Sequence, residues 1–274
     1  PDKVDLSIHP VTQDDVLAGS YIQHLFFAGL DRDLAQMTAQ DETSIPTGSN
    51  AIAINSTKTD SNASYLLINS HQPLSGPVGW YELNIESESG WHGHGGNFPG
   101  SFLINVGFNK NIGWGATVNR PDVMDIFELT INPNNADQYL LDDKWESFEI
   151  EEDKLAFKLF GFLRWSTKQK FRYSKFGPVI EMNGNYFALR HINQSSFNEI
   201  EGWYEISKTK NVYEFEKQLA KRKIPSFNFV TMDSDRNIGY FYNGRIPNRH
   251  DALKARQIIS SSSSKDIWDK KDLV

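Results

Sequence analysis

The sequence predicts a β-rich α+β chain, and three observations carry that reading. Short apolar runs flank turn-forming clusters along most of the length, as at 51–55 and 65–69 around TKTDSNAS and at 227–232 and 238–242 around DSDRN. Helical spacing is confined to the stretches 11–37 and 211–223. The composition can fill a core: 39% of the 274 residues are hydrophobic and 13% aromatic, more than a disordered chain carries.

The helix expected at 11–37 opens on Thr12, a capping residue, with Asp15 three positions on in a variant of the capping box. Val16, Leu17, Tyr21, Leu25 and Phe26 follow at roughly helical spacing. Residues 38–48 are polar, contain Pro46 and Gly48, and read as a linker. The hairpin of 51–55 and 65–69 comes next. Further strands are expected at 101–108 and 112–118, joined by Asn109-Lys110-Asn111, and at 125–131. Residues 143–190 continue as strands with a break at Gly177-Pro178. The helix at 211–223 has Asn211 as its N-cap, Glu214 at the third helical position, and Phe215 and Leu219 on one face. The serines at 260–264 read as a flexible low-complexity stretch, and the final KDIWDKKDLV does not read as the end of a core. There is no internal repeat.

Charge and cysteine usage exclude several classes. The net charge is −7, and the basic residues are scattered apart from Lys221-Arg222-Lys223, so no nucleic-acid partner is expected. With no cysteine, disulfides, thiolate metal sites and a Cys nucleophile are ruled out. No apolar run approaches the length of a membrane span, and no membrane partner is expected. The sequence starts at Pro1 with neither Met nor a signal peptide, which reads as a processed or excised chain.

For chemistry, the G-x-S-x-G elbow of many serine hydrolases is absent. HGHGG at 92–96 reads as a flexible glycine loop beside a pocket. Alternatively, His92 and His94 begin a metal site, although His9, His24, His71, His191 and His250 offer no matching spacing. The stretch PTGSNAIAI places Gly48-Ser49 directly before a strand. Turn chemistry accounts for that placement, and so does a cleavage site. If the Gly48–Ser49 bond is cut, hydroxyl and α-amine share one residue, and an amine with a pKa of roughly 7.7–8.0 can serve as the base. The same hydroxyl can make the cut by attacking the Gly48 carbonyl, leaving an ester that water opens. Gly48 has no side chain to obstruct that attack.

Longer blocks bear on this choice. GSNAIAI, LLINSHQPLSGPVGWYELNI and FPGSFLINVGFNKNIGWGATVNRPDVMDIF, followed by YSKFGPVI and NFVTMDSDRNIGYFYNGRIP, run in order from about residue 11 to 250. Together they resemble the penicillin acylase family of N-terminal nucleophile hydrolases. The resemblance implies a partial αββα sandwich and a precursor, or zymogen, that cuts itself into α and β chains. On that reading residues 1–48 are the end of the α chain and its linker, residues 49–274 are the first part of the β chain, and the sequence is a fragment across their junction.

The resemblance also implies site roles. Ser49 becomes the nucleophile with its own α-amine as base, and Gly48–Ser49 the bond cut. His71 falls where the family has a residue that supports the nucleophile; histidine there is similar to homoserine-lactone, aculeacin and cephalosporin acylases and leans away from penicillin G. The backbone N–H of Val118 becomes an oxyanion donor, which needs no particular side chain. Trp80, Asn97 and Phe98 line the acyl pocket. No cofactor is required for the reaction. Asp122, Asp125 and the Met124 carbonyl match a structural calcium site, against the plainer reading of a solvated turn, since calcium takes about 6–8 oxygens. Two features depart from the family pattern: Ile52 stands where many members have Trp, and the family's second oxyanion donor, an Asn, falls beyond Val274.

The function implied is hydrolysis of linear amides: removal of an acyl group from an acyl-homoserine lactone or a β-lactam side chain, in the periplasm or outside the cell, as in antibiotic metabolism. The partners implied are a small-molecule amide and the remaining α and β segments, without which this piece is expected to have little activity. A non-catalytic binding module that kept the fold, and a histidine-based metallohydrolase, remain as alternatives.

Overall fold

The computed structural model describes residues 11–28, 48–72, 74–76, 78–119, 121–159, 163–192, 198–224, 226–249 and 258–268. The helices are α1 (Gln13–Ala28), α2 (Asn198–Ser207) and α3 (Val212–Leu219). The strands begin with β1 (Gly48–Ile54), β2 (Tyr65–His71), β3 (Tyr81–Glu86), β4 (His92–Asn97), β5 (Val106–Phe108) and β6 (Ile112–Thr117). They continue with β7 (Met124–Leu129), β8 (Ile131–Asn132), β9 (Asn135–Leu141), β10 (Lys144–Ser147), β11 (Glu149–Leu159) and β12 (Leu163–Tyr173). The last are β13 (Pro178–Met182), β14 (Asn185–His191), β15 (Ser226–Asp233), β16 (Ile238–Gly244) and β17 (Ile258–Ser260). The chain divides into two compact units, one taking the described residues up to 121 and from 198 to 245, the other those from 122 to 192 and from 246 onward.

The first unit is built on an antiparallel sheet in the order β16-β15-β6-β5-β4-β3. Strand β6, IGWGAT, sets its layers through the two-residue period of a strand. Ile112, Trp114 and Ala116 point one way, into a core with Trp203 and Ile206 of α2 and Val212, Phe215 and Leu219 of α3. Gly113 and Gly115 point the other way, under the hairpin β1-β2. A Cβ on Gly115 would stand 2.9 Å from Ile68 Cγ1 and 3.1 Å from Ala51 Cβ, and one on Gly113 2.8 Å from Leu66 Cδ2. Glycine at these positions lets the hairpin lie directly on the sheet, giving a helix–sheet–hairpin stack.

The hairpin is regular. Gly48 pairs with His71, Ser49 with Ser70 and Ala51 with Ile68. Ser49, Ala51, Ala53, Leu66, Ile68 and Ser70 are half-buried, whereas Asn50, Ile52, Ile54, Tyr65, Leu67, Asn69 and His71 are exposed. Strand alternation thus assigns Ser49 to the inner face and His71 to the outer one. Strand β1 runs across the chain division expected at 48/49.

HGHGG is not a flexible loop. It forms most of β4, paired with β3 and with β5. Its glycines answer to crowding: a Cβ on Gly95 would lie 2.1 Å from the Val106 oxygen and 2.8 Å from Gly107 Cα. The strand expected at 101–108 is shortened to Val106–Phe108 for a related reason, because Asn97 clamps the preceding loop. Its amide donates to the Leu103 carbonyl and its oxygen accepts from the Phe98 N–H at 2.7 Å. The turn at Asn109 forms as expected, with Asn109 Oδ1 accepting from the N–H groups of Asn111 and Ile112.

Asn211 caps α3 by accepting from the Glu214 N–H at 2.9 Å. The helix ends at Leu219, short of the expected 223, and Arg222 turns to φ +54°. The DSDRN turn is tied to the start of that helix by Asp233. One carboxylate oxygen accepts from the N–H groups of Asp235 and Asn237, and the other from the Val212 N–H at 3.1 Å. Burial pushes this carboxyl up, but the donors of Asn237, Val212 and Asp235 outweigh it and hold the group below the usual 3.8. The sequence reading missed α2 altogether. Helix α1 opens as expected, with Thr12 and Asp15 bonded reciprocally, and is described as far as Ala28; the remainder expected to 37 and residues 38–47 of the linker expected at 38–48 lie outside the described residues, while Gly48 begins β1. Tyr21 on α1 is pushed up to about 12 by burial and by the Glu199 charge on α2.

In the second unit a sheet ordered β11-β12-β13-β14-β7-β17 accompanies a smaller one ordered β10-β9-β8. Phe127 and Leu129 of β7, Tyr139 and Leu141 of β9, and Phe148, Phe176 and Ala188 form its core. The serine run is ordered, contrary to expectation. Asp142 donates its N–H to the Ser262 carbonyl at 2.7 Å, and its carboxylate accepts the Ser264 N–H at 2.9 Å. The last ten residues also contain a core residue, buried Trp268. Among the described residues no helix is long and apolar enough to cross a membrane.

The stack predicts that Gly115→Val costs about 1–3 kcal/mol by overpacking, measured by urea denaturation. The matching change at exposed Gly90 is not an equal control, because Gly90 has φ +81°; Ile52→Val on the outer face, expected within about 1 kcal/mol of wild type, is the better one.

Candidate active site

Ser49 is the second residue of β1 and lies on its inner face. The N–H of Val118, the first residue past the end of β6, donates to Ser49 Oγ at 3.4 Å. The contact depends on the glycine face of β6, since a bulkier strand would hold the hairpin away. A backbone N–H aimed at a serine oxygen can also serve an oxygen that develops on the carbon this serine attacks.

His71 is placed differently. Its imidazole lies on the exposed face with Asn50 and Asn69, whose amides each stand 3.2 Å from Nε2. It is therefore not joined to the Ser49 hydroxyl, but it does crowd the residue before it: a Cβ on Gly48 would be 2.8 Å from His71 Nδ1. That contact restricts position 48 to glycine unless the imidazole moves. Asn50 and Asn69 are neighbours the sequence reading missed, although the hairpin register that faces Asn50 to Asn69 and the i, i+2 spacing to His71 were there to be read.

Beside Ser49 is a small cavity of about 30 Å³, lined by Ser70, Gln72, Trp80, Phe98, Asn105, Val106, Ala116, Val118, Trp203 and Phe227. Trp80 and Phe98, both among the lining residues, pack with their ring centroids 4.2 Å apart and their planes tilted by 39°. Asn97, expected to line the pocket with them, is fully buried in the loop clamp. Asn105 and Trp203 are further lining residues that the sequence reading missed; Trp203 sits on the unrecognised α2, and Asn105 in a stretch taken for strand.

His92 and His94 project from β4 toward acidic partners on β3. His94 Nε2 is 2.7 Å from Glu82 and His92 Nδ1 3.5 Å from Glu86. Among the described residues no group of three or more His, Cys, Asp or Glu could hold a metal ion, and this pair has no third ligand.

The acidic pair Asp122 and Asp125, in the second unit, meets an internal cation. Arg249 Nε donates to both carboxylate oxygens of Asp125, at 3.0 and 2.9 Å. Its Nη2 donates to the Asp122 carbonyl at 3.2 Å and lies 3.2 Å from Asp122 Oδ1. Trp268 Nε1 adds a 2.6 Å bond to Asp125 Oδ2. The Asp125 side chain is 1% exposed and that of Arg249 10%. These residues do not fit a calcium ion as they stand. The Asp125 oxygens accept from the N–H groups of Arg249 and Trp268, and the Arg249 guanidinium lies against both aspartates where a cation would be attracted. Met124 lies between the two aspartates, buried, in register with His191 of β14.

Fold and site together describe a serine at a strand start with a backbone donor and an apolar cavity, and comparison with known proteins gives the class. The family model for penicillin amidase matches residues 5–272. The chain belongs to the penicillin amidase family. It is 26% identical over 240 residues to the acyl-homoserine lactone acylase PvdQ of Pseudomonas savastanoi pv. phaseolicola, covering 81% of this chain and 31% of that protein. It is 26% identical over 252 residues to penicillin G acylase of Escherichia coli, covering 88% of this chain and 28% of that protein. The thermostable penicillin G acylase from Alcaligenes faecalis has the same fold over 71% of this chain and 34% of its own, with a TM-score of 0.59 at 22% identity. The chain thus spans about a third of the length of these relatives.

Because Arg249 balances the aspartates, removing it leaves a buried carboxylate unpaired. Arg249→Met is expected to destabilise the protein by about 3–5 kcal/mol, read from urea denaturation. Wild-type Tm is expected to be the same in a chelator and in millimolar calcium; a clear rise with calcium would contradict this account of the pair.

Proposed function

We propose that the full-length protein is an acylase that hydrolyses a linear amide through Ser49. The observation that carries this reading is the Val118 N–H at 3.4 Å from Ser49 Oγ, at the mouth of an apolar cavity, in a chain of the penicillin amidase family.

The reaction begins when the Ser49 hydroxyl adds to the amide carbonyl. Its proton passes to the α-amine of the same residue, which is free once Gly48–Ser49 has been cut. The carbonyl oxygen takes the negative charge, and the Val118 N–H faces it. Collapse expels the amine, which leaves with that proton, and an acyl ester remains on Ser49 Oγ. Water, deprotonated by the same α-amine, opens the ester, releases the acid and restores the hydroxyl. The maturation step uses the same groups: Ser49 Oγ attacks the Gly48 carbonyl, the C–N bond breaks to give an ester and a free amine, and water cleaves the ester. Glycine at 48 suits this step, because any Cβ there meets His71.

The names of the relatives suggest an acyl-homoserine lactone, a β-lactam side chain or aculeacin A as the kind of amide. The partners proposed are that amide and the segments of α and β chain beyond this sequence, with a periplasmic or secreted location. On this reading the 274-residue chain by itself turns over little substrate.

Ser49→Ala in the full-length protein is expected to abolish amide turnover. Val118→Pro, which removes the donor N–H and fixes φ at that position, is expected to lower kcat by about 10²–10³, while Val118→Ala keeps most activity. Equal activity of the Pro and Ala variants, with both shown folded by circular dichroism, would sink the oxyanion role.

A further inference from the structure

One edge of the second unit is a long β-ribbon. Strands β11 and β12 pair along their whole length, from Glu149 opposite Tyr173 to Leu159 opposite Leu163. Strand β13 joins them only at Arg172 and Tyr173, and β11 is the outermost strand of its sheet. Among the described residues no third strand flanks the ribbon beyond that root. A two-stranded hairpin is marginally stable in water by itself, so the outer part gains from a surface to lie on.

Strand parity gives the ribbon two unlike faces. Leu155, Trp165, Thr167 and Phe171 share one face, where Leu155, Trp165 and Phe171 are 38%, 55% and 39% exposed. Glu152, Lys154, Lys168 and Lys170 share the other, with Lys168 Nζ 3.6 Å from Glu152. The register sets Lys154 directly opposite Lys168, and like charges so placed repel. Charge is also graded along the ribbon. Glu149, Glu151, Glu152 and Asp153 stand at the root, whereas the run from 154 to 170, KLAFKLFGFLRWSTKQK, carries five basic residues and no acidic one in a chain of net charge −7.

Lysine on an edge strand discourages pairing with other chains, which accounts for one face. It does not account for Leu155 and Trp165 exposed on the other. An acidic protein surface answers only the cations. A bilayer with anionic headgroups answers both faces, because its acyl chains lie directly beneath its charge.

We propose that the β11-β12 ribbon docks the protein on an anionic lipid surface. It lies in the interface with Leu155 and Trp165 toward the acyl chains, while Lys154, Lys168 and Lys170 extend their ammonium groups among the headgroups. The expectation of no membrane partner came from the lack of a spanning run, and a ribbon that lies in the interface needs none. The role is independent of the chemistry at Ser49.

The test is flotation of the full-length protein with vesicles of phosphatidylcholine alone and with about a third phosphatidylglycerol. The protein is expected to float with the anionic vesicles, to stay behind with the neutral ones, and to be released by high salt. Lys154→Gln with Lys168→Gln is expected to lower the partition coefficient by about tenfold or more, and Trp165→Ser severalfold, with each variant shown folded by circular dichroism. Absence of flotation, equal flotation with neutral vesicles, or flotation that neither variant alters would overturn the proposal. Two further results would overturn it by naming another occupant. A Trp165→Ser protein with a lowered Tm and no vesicle binding in wild type points to another segment of the same protein. A wild-type dimer that the lysine variant dissociates, again with no vesicle binding, points to a second copy.

Discussion

The site depends on how closely a hairpin can approach a sheet. Gly113 and Gly115 leave one face of β6 bare, and the hairpin β1-β2 settles on that face with Ala51 and Ile68 against it. The same strand turns Ile112, Trp114 and Ala116 to the helices. One short sequence, IGWGAT, thus supplies the core on one side and the contact distance on the other. Only at that distance does the Val118 N–H, just past the strand, reach the Ser49 hydroxyl.

Seen from this constraint, much of the chain was legible. The hairpin followed from two apolar runs around a turn-rich stretch, and its strands formed with little change in bounds. The Asn211 cap, the Asn109 turn and the strands between 143 and 190 followed from local chemistry. What escaped was structure whose sequence is shaped by crowding. Strand β4 has glycines where a strand normally has branched side chains, because Gly95 faces the backbone of β5. Helix α2, NEIEGWYEIS, carries a glycine at its centre where Ile224 and Lys223 press on it, and glycine lowers helical propensity. In both cases tertiary contacts selected residues that local propensity argues against.

The site residues divide the same way. Ser49 and the Val118 backbone come together, and Trp80 and Phe98 line the cavity beside them. His71 lies on the outer face with Asn50 and Asn69, at the Gly48 side of the bond. Asn97 serves the loop clamp. Strand parity decides the first difference, and motif resemblance does not carry that information for a side chain. The acidic pair is a comparable case. Its spacing suits a cation, but the cation it meets is Arg249, from a distant part of the sequence.

We propose that Ser49 is exposed as a new N-terminus by a cut made with its own hydroxyl. Intact-mass spectrometry of the full-length protein under denaturing conditions, beside its Ser49→Ala variant, tests it most directly. Wild-type chains are expected to part between Gly48 and Ser49, and the variant to stay uncut. A wild type that hydrolyses amides as a single uncut chain, or a Ser49→Ala variant cut at the same bond, would contradict it.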